Sequence, residues 1–354
     1  MAATYERRWE TRRERARSVS DETQDSYYGL PVVHKSHWKW AVVLYLFLGG
    51  IAGASYAIAS VAELVGGRDG KRIARTGRYL SFAALLPSPL LLIYDLGRPE
   101  RFLYMLRVLK IRSPMSVGVW TLALFSAFST TSALIQAAQD GLLGRDRAIT
   151  RLLRSCPART IAAVGSVPGF FLAGYTGVLL AATAVPLWTK NHLLLPPLFV
   201  ASATSNAAAA IAFVLALSRG SSQRTLNRLQ RLGGIAALAE LALLLAMRRN
   251  SGPVIARPIE SGRLGQIHHY GVVGTGILAP LVLQVIATMR GVHARTATML
   301  ASALTLAGGL LFRYVIVFAG HASADDPAAS FALTRRAAPE PPVGQSDRRG
   351  HGSH

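Results

Sequence analysis

Charge is scarce in this chain, and negative charge is scarcer. Asp, Glu, Lys and Arg make up 16% of its 354 residues, where a soluble domain carries roughly a quarter. Acids number 18 against 39 Lys and Arg. There is one cysteine, Cys156. A lone thiol excludes a disulfide framework, and it excludes an iron–sulfur cluster held by this chain's own thiolates, which takes about four. No histidine lies deep within an apolar stretch, so facing ligands for a transmembrane b-type haem are missing. No haem or metal is therefore expected in this chain. Nor is a cleavable leader: residues 1–37 are heavily charged, and the first apolar stretch is long enough to span without a small-residue cleavage site.

What is abundant is uninterrupted apolar sequence. Trp40 to Ala62, Ser113 to Gln139, Thr160 to Thr189, Asn191 to Ser218 and Tyr270 to Met289 contain no Asp, Glu, Lys or Arg. Each is long enough to cross a hydrocarbon core, which takes roughly 20 helical residues. Tyr79 to Tyr94, Leu232 to Met247 and Thr296 to Gly320 are further candidates, the last two with one charge each, Glu240 and Arg313. The expected fold is an all-α integral membrane protein, a polytopic bundle of about eight transmembrane helices, because lipid tolerates no unpaired backbone groups. The net charge of +21 then belongs to loops and tails that meet lipid phosphates or protein partners, and no nucleic acid is implied. Basic loops are nearly balanced between "GRDGKRIARTGR" on one face and "GRPERFLYMLRVLKIR" on the other. Orientation stays open, and an even span count puts both termini on one side. The expected organisation is a polar N-terminal tail over residues 1–36, a membrane domain over 37–322 and a disordered, Pro- and Arg-rich C-terminal tail over 323–354.

Depth below the face holding both termini follows from a rise of 1.5 Å per residue. Asp95 falls at that face, and Tyr45 about 10 Å below it. Glu240 and Arg313 fall at about 10–12 Å, the coincident depth a buried acid–base pair requires. That pair is expected to be structural, with a place in a proton path as the alternative. His37, His192, His268, His269 and His321 gather near the same face. On the other face Arg72, Arg75, Arg151 and Arg154 read as ordinary topology and lipid anchoring. Gly49 and Gly53 in "GGIAG" are spaced for close helix packing, or for a flat ligand against bare backbone. Pro87, Pro89, Pro168, Pro186 and Pro280 interrupt the apolar runs.

The stretch "YDLGRPERF" closes the second run. Asp95 and Glu100 are acceptors, Arg98 and Arg101 planar donors, and Gly97 with Pro99 sets a rigid turn between them. A helix stop with lipid-facing arginines explains the basic residues but not Asp95, which gains nothing from lipid phosphate. An acid at that boundary can exchange a proton.

"LYLFLGGIAGASY", "DLGRPERFLYMLRVLKIRSPMSVGVW" and "GYTGVLLAATAVPLW" together resemble the NrfD/PsrC family, the integral membrane subunits of polysulfide-reductase-type respiratory complexes. The resemblance implies a quinol/quinone site (menaquinone or ubiquinone) near the face where a ferredoxin-like iron–sulfur subunit docks, and a molybdopterin-type catalytic subunit beyond it. It implies that Asp95 handles the proton, and that Tyr45 and Tyr175, with His37 nearby, bind the quinone. Arg98, Glu100, Arg101, Ser113 and Ser116 match the signature elbow. Tyr45 stands where some members carry a histidine. Tyr175 counts to about 16–20 Å deep from the end of its apolar run, deeper than Tyr45. Two other readings stay open: a membrane anchor for a peripheral reductase without its own active quinone site, and a secondary transporter, which would place polar groups near the midplane in matching half-repeats.

Overall fold

The computed structural model describes residues 38–96, 100–144, 148–218, 222–290 and 294–335. Eight helices or helix pairs in it are long and apolar enough to cross a membrane, and no strand occurs among the described residues. The chain is a multi-pass membrane protein.

Span one is α1 (Trp40–Val65). Span two is broken at Leu86 into α2 (Gly67–Leu85) and α3 (Pro87–Leu96), where Pro87 removes a backbone donor. A short α4 (Glu100–Arg107) leads to span three, α5 (Pro114–Gln139). Then come α6 (Ala148–Ser155), span four as α7 (Ala158–Ala181), a one-turn α8 (Pro186–Lys190) and span five as α9 (Leu195–Leu217). Span six is α10 (Gln223–Ile255), kinked at Gly252, whose φ of 69° suits glycine. Two short helices, α11 (Arg257–Glu260) and α12 (Gly262–Gln266), precede span seven. That span runs on from α12 as a π-helix over Ile267–Leu278 and continues as α13 (Ala279–Arg290). Span eight is α14 (Ala294–Asp325), and α15 (Pro327–Arg335) follows.

Spans one to four pack as one four-helix bundle and spans five to eight as another; α9 joins them by packing on both α1 and α7. The closest approaches are made by small residues. A Cβ at Gly53 of α1 would run into the backbone carbonyl of Gly169 on α7, and Gly276 and Gly308 meet backbone to backbone. Lipid offers no hydrophobic drive between helices, so such contacts supply dispersion instead. Of Gly49 and Gly53, whose spacing suits close packing or a flat ligand against bare backbone, only Gly53 closes a helix contact.

The C-terminal boundary differs from the expectation. Residues 323–325 and 327–335, assigned to a disordered tail, are helical, and Ser323, Ala324, Ala329 and Ser330 are buried. Alanines at helical spacing can line a packed face without large apolar side chains, and the polar composition concealed it. Residues 1–37 and 336–354 lie outside the described residues.

Candidate functional site

The face at which α1 begins collects aromatic and polar groups from both bundles. Tyr45 of α1 and Tyr175 of α7 are both buried, and the two phenols lie within electrostatic reach of each other. Gly49 sits one turn beyond Tyr45, on the same side of α1. It is buried, yet a Cβ built on it would meet nothing within 4 Å. Room for at least one carbon atom is therefore left on that side of α1, next to Tyr45. Tyr175 lies flat against α5: a Cβ at Gly118 would collide with its ring, and its hydroxyl donates to the Pro114 carbonyl. Pro114 begins α5, so Tyr175 reaches close to the surface. Its apolar run continues to Thr189, but the helix ends at Ala181, which puts Tyr175 about 9 Å before that end. The greater depth counted from sequence is corrected accordingly. The chain leaves the helix where Thr183 turns its hydroxyl onto the Leu180 carbonyl (2.8 Å), just ahead of Pro186.

Asp95 ends α3 half-buried, facing the backbone N–H and the ammonium of Lys39 at the start of α1. Beside it the rings of Trp40 and Tyr94 lie 6.1 Å apart. Asp95 thus belongs to the mouth of α1 and the phenols to the turns below, separated by about 9 Å along that helix. In the elbow, Glu100 is exposed at the first turn of α4. Ser113 is the residue before α5, and Ser116 accepts from the Lys110 N–H at 3.0 Å and donates to the Val108 carbonyl at 3.3 Å. Ser116 therefore ties the elbow's loop down onto α5. His37, Arg98 and the side chain of Arg101 lie outside the described residues.

Arg313 is fully buried on α14 at the seam between the bundles. Its Nη1 donates to Ser202 Oγ at 2.7 Å and to the Gly309 carbonyl at 3.0 Å. Glu240, also buried, stands within electrostatic reach of Arg313 and near the same Ser202. Acid and base face each other past a serine that Arg313 holds. The guanidinium is flanked by Phe47, Phe199 and Phe312, with ring centres at 5.7, 5.7 and 5.4 Å. Its Nε and Nη2, and Asn206 Oδ1 nearby, have no hydrogen-bond partner among the described residues.

The histidines scatter around the same face. His192 is exposed, with Nδ1 3.0 Å from the Thr189 carbonyl. His268 and His269 sit edge to face at 5.2 Å, and His321 lies 6.1 Å from Trp188. Trp188 is the anchor that sequence reasoning missed. It is fully buried, donates to the Ile316 carbonyl at 3.0 Å and stacks on Trp38 at 5.4 Å. The signal was the Pro186–Trp188 pairing at a run's end.

On the opposite face, two of the arginines read as lipid anchors, Arg75 and Arg154, also make contacts within the protein. Arg75 Nε donates to Asp140 at 2.8 Å, and Arg154 Nε donates to the Ala138 carbonyl at 2.8 Å. Arg78, only 3% exposed, bridges Glu63 and Gln136. Tyr79 donates to Asp140 at 2.7 Å. Spans one, two and three are stapled together by this chain of charges. Asp140 immediately after a charge-free run, with Gln136 one turn before it, was the available clue.

The profile of the family described as "Polysulphide reductase, NrfD" matches residues 32–324. The chain belongs to the NrfD family. The matched interval takes in all eight spans and stops one residue short of the end of α14. Among curated NrfD-type relatives, the C subunit of polysulfide reductase from Wolinella succinogenes is 28% identical over 303 residues, covering 80% of this protein and 94% of that one. The NrfD homolog of Haemophilus influenzae is 26% identical over 306 residues, at 80% and 94% coverage. NrfD of Escherichia coli gives the same identity and coverage.

Proposed function

We propose that this NrfD-family chain is the quinone-binding membrane subunit of a reductase complex, and that it exchanges electrons with an iron–sulfur subunit docked at the face where α1 begins. The observation that supports the reading is the bare backbone of buried Gly49, uncontacted on the side that carries Tyr45, with the Tyr175 phenol within electrostatic reach of Tyr45. A flat ring needs bare backbone on one side and hydrogen-bond donors at its rim, and these residues fit both needs. Bound there, a quinone supplies two-electron, two-proton redox chemistry.

The chain's own residues divide the remaining work. Tyr45 and Tyr175 donate hydrogen bonds to ring oxygens and orient the ring. Lipid and the packed helices exclude water from the phenols, which strengthens each such bond. Asp95, near the end of α3 and beside the start of α1, holds or releases protons next to Lys39. Arg98, Glu100 and Arg101 form the docking elbow for the iron–sulfur partner, and the catalytic subunit, of molybdopterin type, lies beyond that partner.

Gly49→Leu tests the reading. A Cβ at Gly49 meets no neighbour, so the protein should assemble, which its thermal midpoint checks, while quinone binding by the purified complex, followed by fluorescence quenching of a quinol analogue, falls at least tenfold. Undiminished binding in a folded Gly49→Leu protein would leave the anchor reading in its place.

A further inference from the structure

On the face opposite the phenols, α2 and α9 leave a cavity of about 510 Å³ between them. Its α2 wall is one helical stripe, in which Arg72, Arg75, Tyr79 and Ala83 recur at three- and four-residue spacing. The stripe is graded. Arg72 and Arg75 stand exposed at the membrane edge, in the first turns of α2. Tyr79 follows, with its hydroxyl held by Asp140. Leu80 and Ala83 lie about 12–16 Å deeper than Arg72. The α9 wall is graded in the same sense, with Ser218 capping the helix at the edge and Leu215 and Val214 beneath it.

The cavity therefore has a cationic mouth at headgroup level and an apolar floor at acyl-chain level. Two acids stand near. Asp140 takes the Nε of Arg75 and so fixes that side chain at the mouth, where it remains 57% exposed. Asp69, one turn before Arg72, is approached by the Ser222 hydroxyl at 3.5 Å. A free phosphate has no use for the floor, and a neutral quinone ring has no use for two guanidinium groups.

We propose that this cavity seats one anionic phospholipid, its phosphate against Arg72 and Arg75 and an acyl chain along Leu80, Ala83 and Val214. The site is independent of the quinone reading and stands on the other side of the bilayer from it. Its role is to fasten the α2–α9 contact between the two bundles with a lipid of defined charge.

Native mass spectrometry of the purified full-length protein, titrated with phosphatidylglycerol and phosphatidylcholine of matched acyl composition, tests this. Wild type should retain the anionic lipid at least tenfold more tightly. Arg72→Gln should weaken it about fivefold and spare the zwitterionic lipid, as expected for one basic residue at a membrane surface. Val214→Trp, which fills the floor, should lose both lipids. Thermal midpoints of the two variants near wild type would confirm that folding is intact. Equal retention of the two lipids by wild type overturns the proposal. So does an unchanged Arg72→Gln protein, or displacement of the lipid by inorganic phosphate alone or by a quinone analogue.

Discussion

Tyr175 donates its hydroxyl proton to the backbone carbonyl of Pro114, joining the fourth span to the first residue of the third. The bond parks the phenol on α5, with Gly118 leaving room for the ring. To serve a ligand in the space beside Gly49 the hydroxyl must turn away from Pro114. A bond to the ligand then replaces one to the backbone, and the net gain is modest.

Tyr175→Phe should accordingly weaken quinol binding by about fivefold, the worth of roughly 1 kcal/mol for one exchanged hydrogen bond. The complex should still assemble. Equilibrium titration of a quinol analogue measures it, and a loss of a hundredfold or more would mean that the phenol is committed to the ligand throughout.

Asp95→Asn keeps the shape and an acceptor for the Lys39 N–H but cannot carry a proton. Subunit assembly should be normal on a native gel, while quinol-linked electron transfer slows by about 100-fold, within the range for loss of a positioned acid–base group. Wild-type turnover in this variant removes Asp95 from the proton route.

Arg78→Ala leaves Glu63 and Gln136 facing an empty buried site. Breaking one partner of such a pair costs about 3–5 kcal/mol. The protein should unfold at distinctly lower SDS fraction or temperature, and Arg78→Leu combined with Glu63→Leu should recover most of the loss. If the double variant is no better than the single one, the network's value lies in shape rather than charge.

Gly53→Val forces a side chain against the Gly169 carbonyl, a backbone atom that cannot yield. Overpacking of this kind costs about 1–3 kcal/mol. Gly49→Ala, four residues earlier, should leave the thermal midpoint unchanged. A reversal of that order would place the open space at the wrong glycine.

The spans were legible because a bilayer demands a run of roughly 20 apolar residues whatever the neighbours are. Depth was legible for Glu240 and Arg313, which it brought to one level, but not for Tyr175, whose helix stops at Ala181 inside its run. Rotation about the helix axis was not. Nothing in the sequence announced that Ser202 would stand between those two, or that Arg78 would turn inward while Arg75 stayed at the surface. Those facts depend on which helix lies alongside. Helix ends inside apolar sequence were hidden too. Ala181 to Thr189 carries no charge, and Pro186 marks a break there without showing that the helix has already ended at Ala181. In the candidate site, Tyr45 and Tyr175 could be named from family resemblance, whereas the open space beside Gly49 is a property of packing.

The setting of Arg313 has a mechanical consequence. Phe47 comes from the first bundle, whereas Phe199, Phe312 and the guanidinium itself come from the second. Rocking one half against the other would drag a cation off an aromatic face and into hydrocarbon. The contact with Phe47, worth about 0.5–2 kcal/mol, resists such rocking, and under the proposed function a lipid-soluble ligand would enter sideways between neighbouring helices.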